Sequence, residues 1–383
     1  MIADPLAVLA ALAVVVWVSI VLEERYRPFR SLGAALVSIL LAMLLSNTGV
    51  LAGSSPTYEF LMGTGVSVAI AFILLGVDLD SIREAGPRML AAFAIGAAGT
   101  FVGSVIGGML MAGGVGPETW KLAGQYAGTY TGGGMNFAAL GRAFDTSSDL
   151  FTAATAADVI VTAIWMTACL LAPVLLGRAR AIQEHAPDHA AVQGGEKLTL
   201  VRALHSTGRS VPIGDAAAMG AIAVGAVWVS GQLGALFPSI PGVLWLTTIV
   251  LIAAQVPAVR RLTGAAMFGN YLLLLFLASN GARSVVANII AFGPSVFVFA
   301  MITVFLHGII LFGVGLMFRL DLATLTVASQ ANIGGPASAM ALASARGYAD
   351  QVLPGVAVGL LGYAVGNYIG FASAGLVRAW MAG

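Results

Sequence analysis

Apolar runs of about twenty residues recur from one end of this sequence to the other, and each such run can cross the roughly 30 Å hydrocarbon layer of a bilayer as a helix. They fall at about 5–22, 31–46, 60–77, 89–112, 148–176, 212–231, 241–257, 266–279, 295–318 and 351–377. The runs are continuous rather than alternating, which argues against membrane strands. The chain is 59% hydrophobic and 9% charged. Soluble domains carry roughly 25% charged residues, so this one has too little polar surface to coat itself in water. The fold class is therefore an all-α polytopic membrane protein. A net charge of +1 gives no bulk attraction to nucleic acid. The single cysteine, Cys169, lies in an apolar run and leaves no disulfide framework within the chain. Asp4 and the lack of Lys or Arg before the first run distinguish it from a cleaved secretory leader, so it is expected to be the first span.

Two further regions, 118–144 and 323–345, are apolar at both ends and interrupted in the middle. The first reads "GTYTGGGMNF" (Gly128 to Phe137) and the second "SQANIGGPASAM" (Ser329 to Met340). The long polar stretch 177–211 divides the chain, so a half at 1–176, a linker at 177–211 and a half at 212–383 are expected. Each half holds four clean runs, one broken region and one clean run. Superposing Gly133-Gly134 on Gly334-Gly335 gives an offset of 201, which implies an internal duplication.

Basic residues supply the orientation. If each broken region enters and leaves by one side as a hairpin, ten crossings remain and the halves are inverted. With the N-terminus outside, only Lys121, Arg142, Arg283 and Arg378 of the 18 basic residues fall on the outer side. If both broken regions crossed, the split would be about ten to eight, so the positive-inside bias favours hairpins. The expectation is two inverted repeats in a bacterial inner membrane, each of about five spans plus one Gly-rich re-entrant helix.

Backbone inside a bilayer must satisfy its own hydrogen bonds, and irregular backbone survives there only where protein buries it or it lines a wet cavity. A Gly-rich break exposes N–H and C=O groups to such a cavity, and paired breaks in two halves point to a transporter's binding site. The candidate substrate-binding residues are Thr129, Thr131, Gly133, Gly134, Asn136, Gln330, Asn332, Gly334, Gly335, Ser338 and Asn367. The competing reading, glycines as close-packing points between helices, fits Gly99, Gly103 and Gly107.

Asp158 sits about a third of the way into its run, where a carboxylate costs about 2.5–3.5 kcal/mol to insert and marks an ion or substrate path. Thr155, Asp158 and Thr162 share one helical stripe, a coupling-ion site for sodium or a proton. The matching position in the second half is Gly359, so the halves differ chemically and one ionisable coupling site is expected. His307 lies mid-span and reads as a neutral histidine bonded to a neighbouring helix, with a proton relay as the alternative. Arg283, Trp120 and Trp380 are expected near the outer boundary. Glu184, His185, Asp188 and His189 in the central loop have loose spacing and read as a solvated connector rather than a metal site.

The stretches "GTYTGGGMNFAAL", "AADV", "ANIGGPASA", "GYAVGNYIG" and "LLGVDLDSIREAG" resemble an uncharacterised bacterial membrane-protein family known mainly as a domain of unknown function. That family is grouped with the cation:proton antiporter and anion transporter superfamily, beside sodium:bile acid, sodium:glutamate and 2-hydroxycarboxylate symporters. The resemblance implies secondary transport by an inverted-repeat, elevator-like fold, a homodimeric scaffold, and an ion-carrying aspartate just after the broken helix, the place of Asp158. It names no substrate.

Three function classes follow. The first is a secondary transporter of a small anionic organic solute driven by sodium or protons, with no cofactor beyond that ion. The second is an intramembrane hydrolase, for which Asp158 lacks a second carboxylate and no serine sits in a recognisable nucleophile setting. The third is a channel, which the two-halves pattern fits less well. No GxxxxGK[ST] motif is present to drive ATP-powered transport.

Overall fold

The computed structural model describes residues 1–176 and 211–383; the linker segment 177–210, with the acidic and histidine residues at 184–189, lies outside the described residues. The only extended pairing among the described residues is one bridge, Ile2 to Leu51. The first half contains α1 (Pro5–Arg25), α2 (Arg27–Asn47), α3 (Pro56–Leu75), α4 (Gly86–Val115), α5 (Thr119–Gly132), α6 (Gly134–Ala143) and α7 (Ser148–Leu176). The second contains α8 (Ile213–Leu236), α9 (Gly242–Ala254), α10 (Ala265–Arg283), α11 (Val286–Met317), α12 (Leu322–Ile333), α13 (Gly335–Ala345) and α14 (Val352–Ala382). Eight helices among the described residues are long and apolar enough to cross a membrane, and the apolar helices Leu32–Asn47 and Gly242–Ala254 are shorter. Together these ten correspond to the ten clean runs.

Local chemistry explains the boundaries. Asp4 caps α1 by accepting from the Ala7 N–H, with Pro5 in the first turn. Ser55 and Pro56 start α3 in the same way. Asp321 caps α12, accepting from both N–H and hydroxyl of Thr324. The kink in α2 sits at Gly33, whose φ of 75° suits a residue without Cβ. A π-helical turn, Leu61–Gly65, interrupts α3.

Both broken regions are hairpins. At the base of the first, Glu118 accepts from Ser147 and Lys121 donates to the Asp145 carbonyl, so the two ends lie side by side. At the base of the second, the Thr324 hydroxyl lies 3.5 Å from Gln351 Oε1. The bases lie at opposite ends of the 32-residue α11: Val285, at its start, donates to Asp149, and Asp321 follows its end. The hairpins thus point toward each other from the two ends of that helix. Their tips meet in the interior, where a methyl group added to Gly133 would lie 3.7 Å from the Gly335 Cα. Both tip glycines have positive φ, 92° and 75°. A side chain there would be strained, so glycine is what permits the turn.

Glycines also set how closely the neighbours approach. Along α14, Cβ atoms on Gly355 and Gly359 would strike Val327 and Pro336 of the second hairpin region. Cβ atoms on Gly362, Gly366 and Gly370 would strike Thr131, Asn136 and Leu140 of the first. One face of α14 therefore carries both hairpins. On α4, Gly99, Gly103 and Gly107 abut His307, Thr303 and Phe299 of α11, the close-packing role expected for them. Helices α4–α7 and α11–α14 pack mainly with one another, while α1–α3 and α8–α10 form a second group. Phe151 against Phe276 and Thr152 against Ser284 join the two.

Candidate functional site

The first arm of each hairpin is shut away from solvent: Leu122 to Gly132 of α5 and Thr324 to Ile333 of α12 are buried throughout. Buried polar atoms ordinarily find partners, and those that do not mark a water, an ion or a ligand. Within about one helical turn of the tips, the buried atoms without a hydrogen-bond partner are Thr129 Oγ1, Tyr130 Oη, Asn136 Oδ1, both amide atoms of Gln330, and Asn332 Oδ1. The amide nitrogens of two of these residues are anchored. Asn136 Nδ2 donates to the Gly362 carbonyl at 3.1 Å, and Asn332 Nδ2 donates to Phe93 and Ala328 carbonyls at 3.2 and 3.0 Å. Each amide is thus oriented by its donor and leaves its oxygen free.

Asp158 faces this zone from α7. Its Oδ1 lies 3.5 Å from Thr162 Oγ1, and the Tyr130 hydroxyl neighbours its carboxylate without closing a hydrogen bond of ordinary geometry. Thr155 turns its hydroxyl to the Phe151 carbonyl one turn back, and Thr131 does the same to Ala127. Their oxygen lone pairs remain available. The stripe continues down α7 through Trp165 and Cys169, which is buried beside Ser329 and Gln330.

His307 of α11 centres a network that joins five helices. Its Nδ1 lies 2.9 Å from the Gly96 carbonyl and 3.0 Å from Thr100 Oγ1, while Nε2 lies 2.9 Å from Ser329 Oγ. A carbonyl can only accept, so the proton is assigned to Nδ1. Nε2 then accepts from the Ser329 hydroxyl, and Ser329 Oγ in turn accepts from Trp165 Nε1 at 2.9 Å. Thr100 donates to the Tyr130 carbonyl at 2.8 Å. Every polar group of the network is satisfied with a neutral imidazole. That agrees with the neutral, helix-bonding histidine expected from the sequence.

Most of the expected substrate residues meet at the tips: Thr129, Thr131, Gly133, Gly134, Asn136, Gln330, Asn332, Gly334, Gly335 and Ser338 lie on the two hairpins within about two turns of the junction. Ser338 packs onto Gly334. Asn367 stands apart from them. Its Nδ2 donates to Thr247 on α9 at 3.0 Å, a helix–helix contact, although its Oδ1 is unpartnered. The sequence reading did not single out Tyr130, Thr100, Trp165 or Ser329. Tyr130 was visible inside the Gly-rich break, but an aromatic there reads equally well as core, and its stack on Tyr126 is indeed core packing. Tyr363, whose ring lies beside both Gly133 and Gly335, falls in the stretch "GYAVGNYIG" but was not among the expected binding residues.

Among the described residues no group of three or more histidine, cysteine or acidic side chains is placed to hold a metal. The chemistry on offer is the half-buried Asp158 carboxylate, several buried neutral oxygens and one free amide donor, Gln330 Nε2. Residues 6–380 match the family described as "Protein of unknown function (DUF819)". The chain is also 29% identical over 382 residues to the "Uncharacterized membrane protein YjcL" of Bacillus subtilis (strain 168), covering 93% of each chain.

Proposed function

The chain belongs to the DUF819 family, and we propose that it is a secondary active transporter that moves a small organic solute carrying an anionic group, coupled to sodium or protons. The observation that carries this reading is the set of unpartnered buried polar atoms at the meeting of two opposed hairpins, beside the Asp158 carboxylate. Several buried hydrogen-bonding groups at the junction have no protein partner, and each is costly in a low-dielectric interior. A solute with donors and acceptors relieves them. Asp158, with Thr155, Thr162 and Tyr130, is the coupling-ion site; the oxygens of Thr129, Asn136, Gln330, Asn332 and Ser338 receive the solute. Helix N-termini at Gly134 and Gly335 present positive dipole ends toward the junction and favour the anionic group.

The two halves share an element order, and their hairpins enter from opposite faces, as inverted repeats do. The helices α4–α7 and α11–α14 move as one body against α1–α3 and α8–α10, exposing the junction alternately. The second group also serves as the homodimer scaffold. Lys121, Arg142, Arg283 and Arg378 cluster at the face of the first hairpin base, where the N-terminus also lies. The positive-inside bias places that face outside a bacterial inner membrane.

A hydrolase reading has one observation in its favour, the 2.9 Å contact of His307 Nε2 with Ser329 Oγ. Trp165 occupies Ser329 from the other side, and His307 and Ser329 are wholly buried, so we read the pair as a structural link. The test is uptake by reconstituted vesicles, with solutes screened under sodium and pH gradients. Wild type is expected to accumulate one solute class only when a gradient is imposed. Asp158→Asn is expected to bind that solute and to lose gradient-driven accumulation. Full accumulation by Asp158→Asn would remove the coupling role.

A further inference from the structure

A second site stands at the outer junction of the two helix groups. The π-helical turn of α3 places Met62 and Gly63 on the surface that faces α6 and α10. Single π-helical turns recur at functional sites because they widen the helix locally. Two guanidinium groups meet at this turn. A methyl group on Gly63 would lie 3.8 Å from Arg142 Nη2, and Arg283 sets Nη1 against Met62 Sδ. The two cations thus stand over consecutive residues. The ion pairs among the described residues are Glu118 with Lys121 and Asp78 and Asp80 with Arg260, so neither arginine is neutralised by one.

Between them lies a pocket of about 170 Å³, walled further by Gly141, Glu59, Asp145 and Asn280. Asn280 is buried. Its Nδ2 donates to the Phe276 carbonyl, leaving Oδ1 without a partner. That oxygen accepts only, as do the carboxylates of Glu59 and Asp145. The pocket therefore combines two planar cations, which suit a carboxylate, with three acceptors, which suit an ammonium group. A dicarboxylate would meet Glu59 and Asp145 as like charges.

We propose that this pocket binds the carboxylate and ammonium groups of a small zwitterion, an α-amino acid or short peptide, at the outer face. Arg142 belongs to the hairpin group and Arg283 to the surrounding helices, so the ligand bridges the two. As the first stop of a transported solute the site rests on the transporter reading; as a binding site it stands without it.

Binding is measured on the purified full chain by calorimetry and by thermal shift at constant ionic strength. The probes are neutral α-amino acids and dialanine, with propionate and succinate for comparison. At least one zwitterion is expected to bind saturably, and propionate and succinate at least tenfold more weakly. Arg142→Gln and Arg283→Gln, both at exposed positions, are each expected to weaken the zwitterion at least tenfold. No binding by any zwitterion, succinate binding more tightly than the zwitterions, or unchanged affinity in both arginine variants would overturn the proposal. Arginine-dependent binding without uptake of any solute would leave the pocket standing and remove the transporter reading. Gradient-driven uptake unaffected by either arginine variant, with no zwitterion bound, would do the reverse.

Discussion

Gly362 of α14 lies so close to the first hairpin that a Cβ on it would sit 2.3 Å from the Thr131 carbonyl oxygen and 2.8 Å from the Gly132 Cα. The contact is backbone to backbone, so no side-chain rotation relieves it. Gly362→Val is expected to lower stability by about 1–3 kcal/mol or more through overpacking. Gly375→Val, on the same helix with open space around it, is expected to be near neutral. Thermal unfolding of the two variants in one detergent checks the difference; equal melting would remove the seating role of the α14 glycines.

Ser329 sits between Trp165 and His307 and serves both. Ser329→Ala leaves the buried imidazole Nε2 without a partner, at a cost of about 1–3 kcal/mol, and also takes away the acceptor of the half-buried Trp165 indole N–H. A clear fall in unfolding midpoint is expected. A serine-reactive fluorophosphonate is expected to leave wild type unlabelled, and stoichiometric labelling lost in Ser329→Ala would revive the hydrolase reading.

The Tyr130 hydroxyl neighbours the Asp158 carboxylate and has no other partner. As an unpartnered oxygen beside the carboxylate the hydroxyl is a ligand for a bound cation, so Tyr130→Phe is expected to weaken sodium binding by about tenfold or more, the size of one polar contact to a charge. The ring and its stack on Tyr126 are kept, and solute affinity at saturating ion is expected to stay within about threefold. Titration of the ion at fixed solute separates the two effects.

Glu118 closes the first hairpin. Burial pushes its carboxyl upward, but hydrogen bonds from Lys121 and Ser147 outweigh burial and hold it below the ordinary glutamate range. A depressed folded-state value gives stability that is complete above the unfolded value of about 4.3 and is lost as pH falls through the folded one. Wild type is expected to lose stability below about pH 4, and Glu118→Gln to be weaker at neutral pH with a flatter acid limb. Unfolding midpoints between neutral pH and acid check this; parallel curves would show that the hairpin base is not held by the charge.

Thr152 Oγ1 lies 2.7 Å from Ser284 Oγ across the boundary of the two helix groups. Cysteines at both positions, with Cys169→Ala to remove the native thiol, are expected to cross-link on oxidation. If one group moves against the other, the cross-link abolishes uptake and reductant restores it, while solute binding persists. Full uptake by the cross-linked protein would exclude movement at that boundary.

The ten clean runs and the two breaks were legible in the sequence, because the bilayer demands long apolar segments and punishes irregular backbone. Asp158 stood out for the same reason: a carboxylate in such a segment is conspicuous wherever the chain takes it. The tip residues Asn136, Gln330 and Asn332 were legible as polar side chains beside paired glycines.

Other features needed the fold. Tyr130, Thr100, Trp165, His307 and Ser329 come from α5, α4, α7, α11 and α12, and their network exists only where those helices cross. Asn367 illustrates the opposite case. Its polarity marked it for the cavity, but the rotation of α14 turns it to Thr247 on α9. The Arg142 and Arg283 pocket joins positions far apart in the chain around a widened turn that no local pattern announced. Hydrophobicity and glycine placement act within a segment and are written in its residues. Which atoms are left without partners depends on what the other helices bring, and that is decided only when they pack.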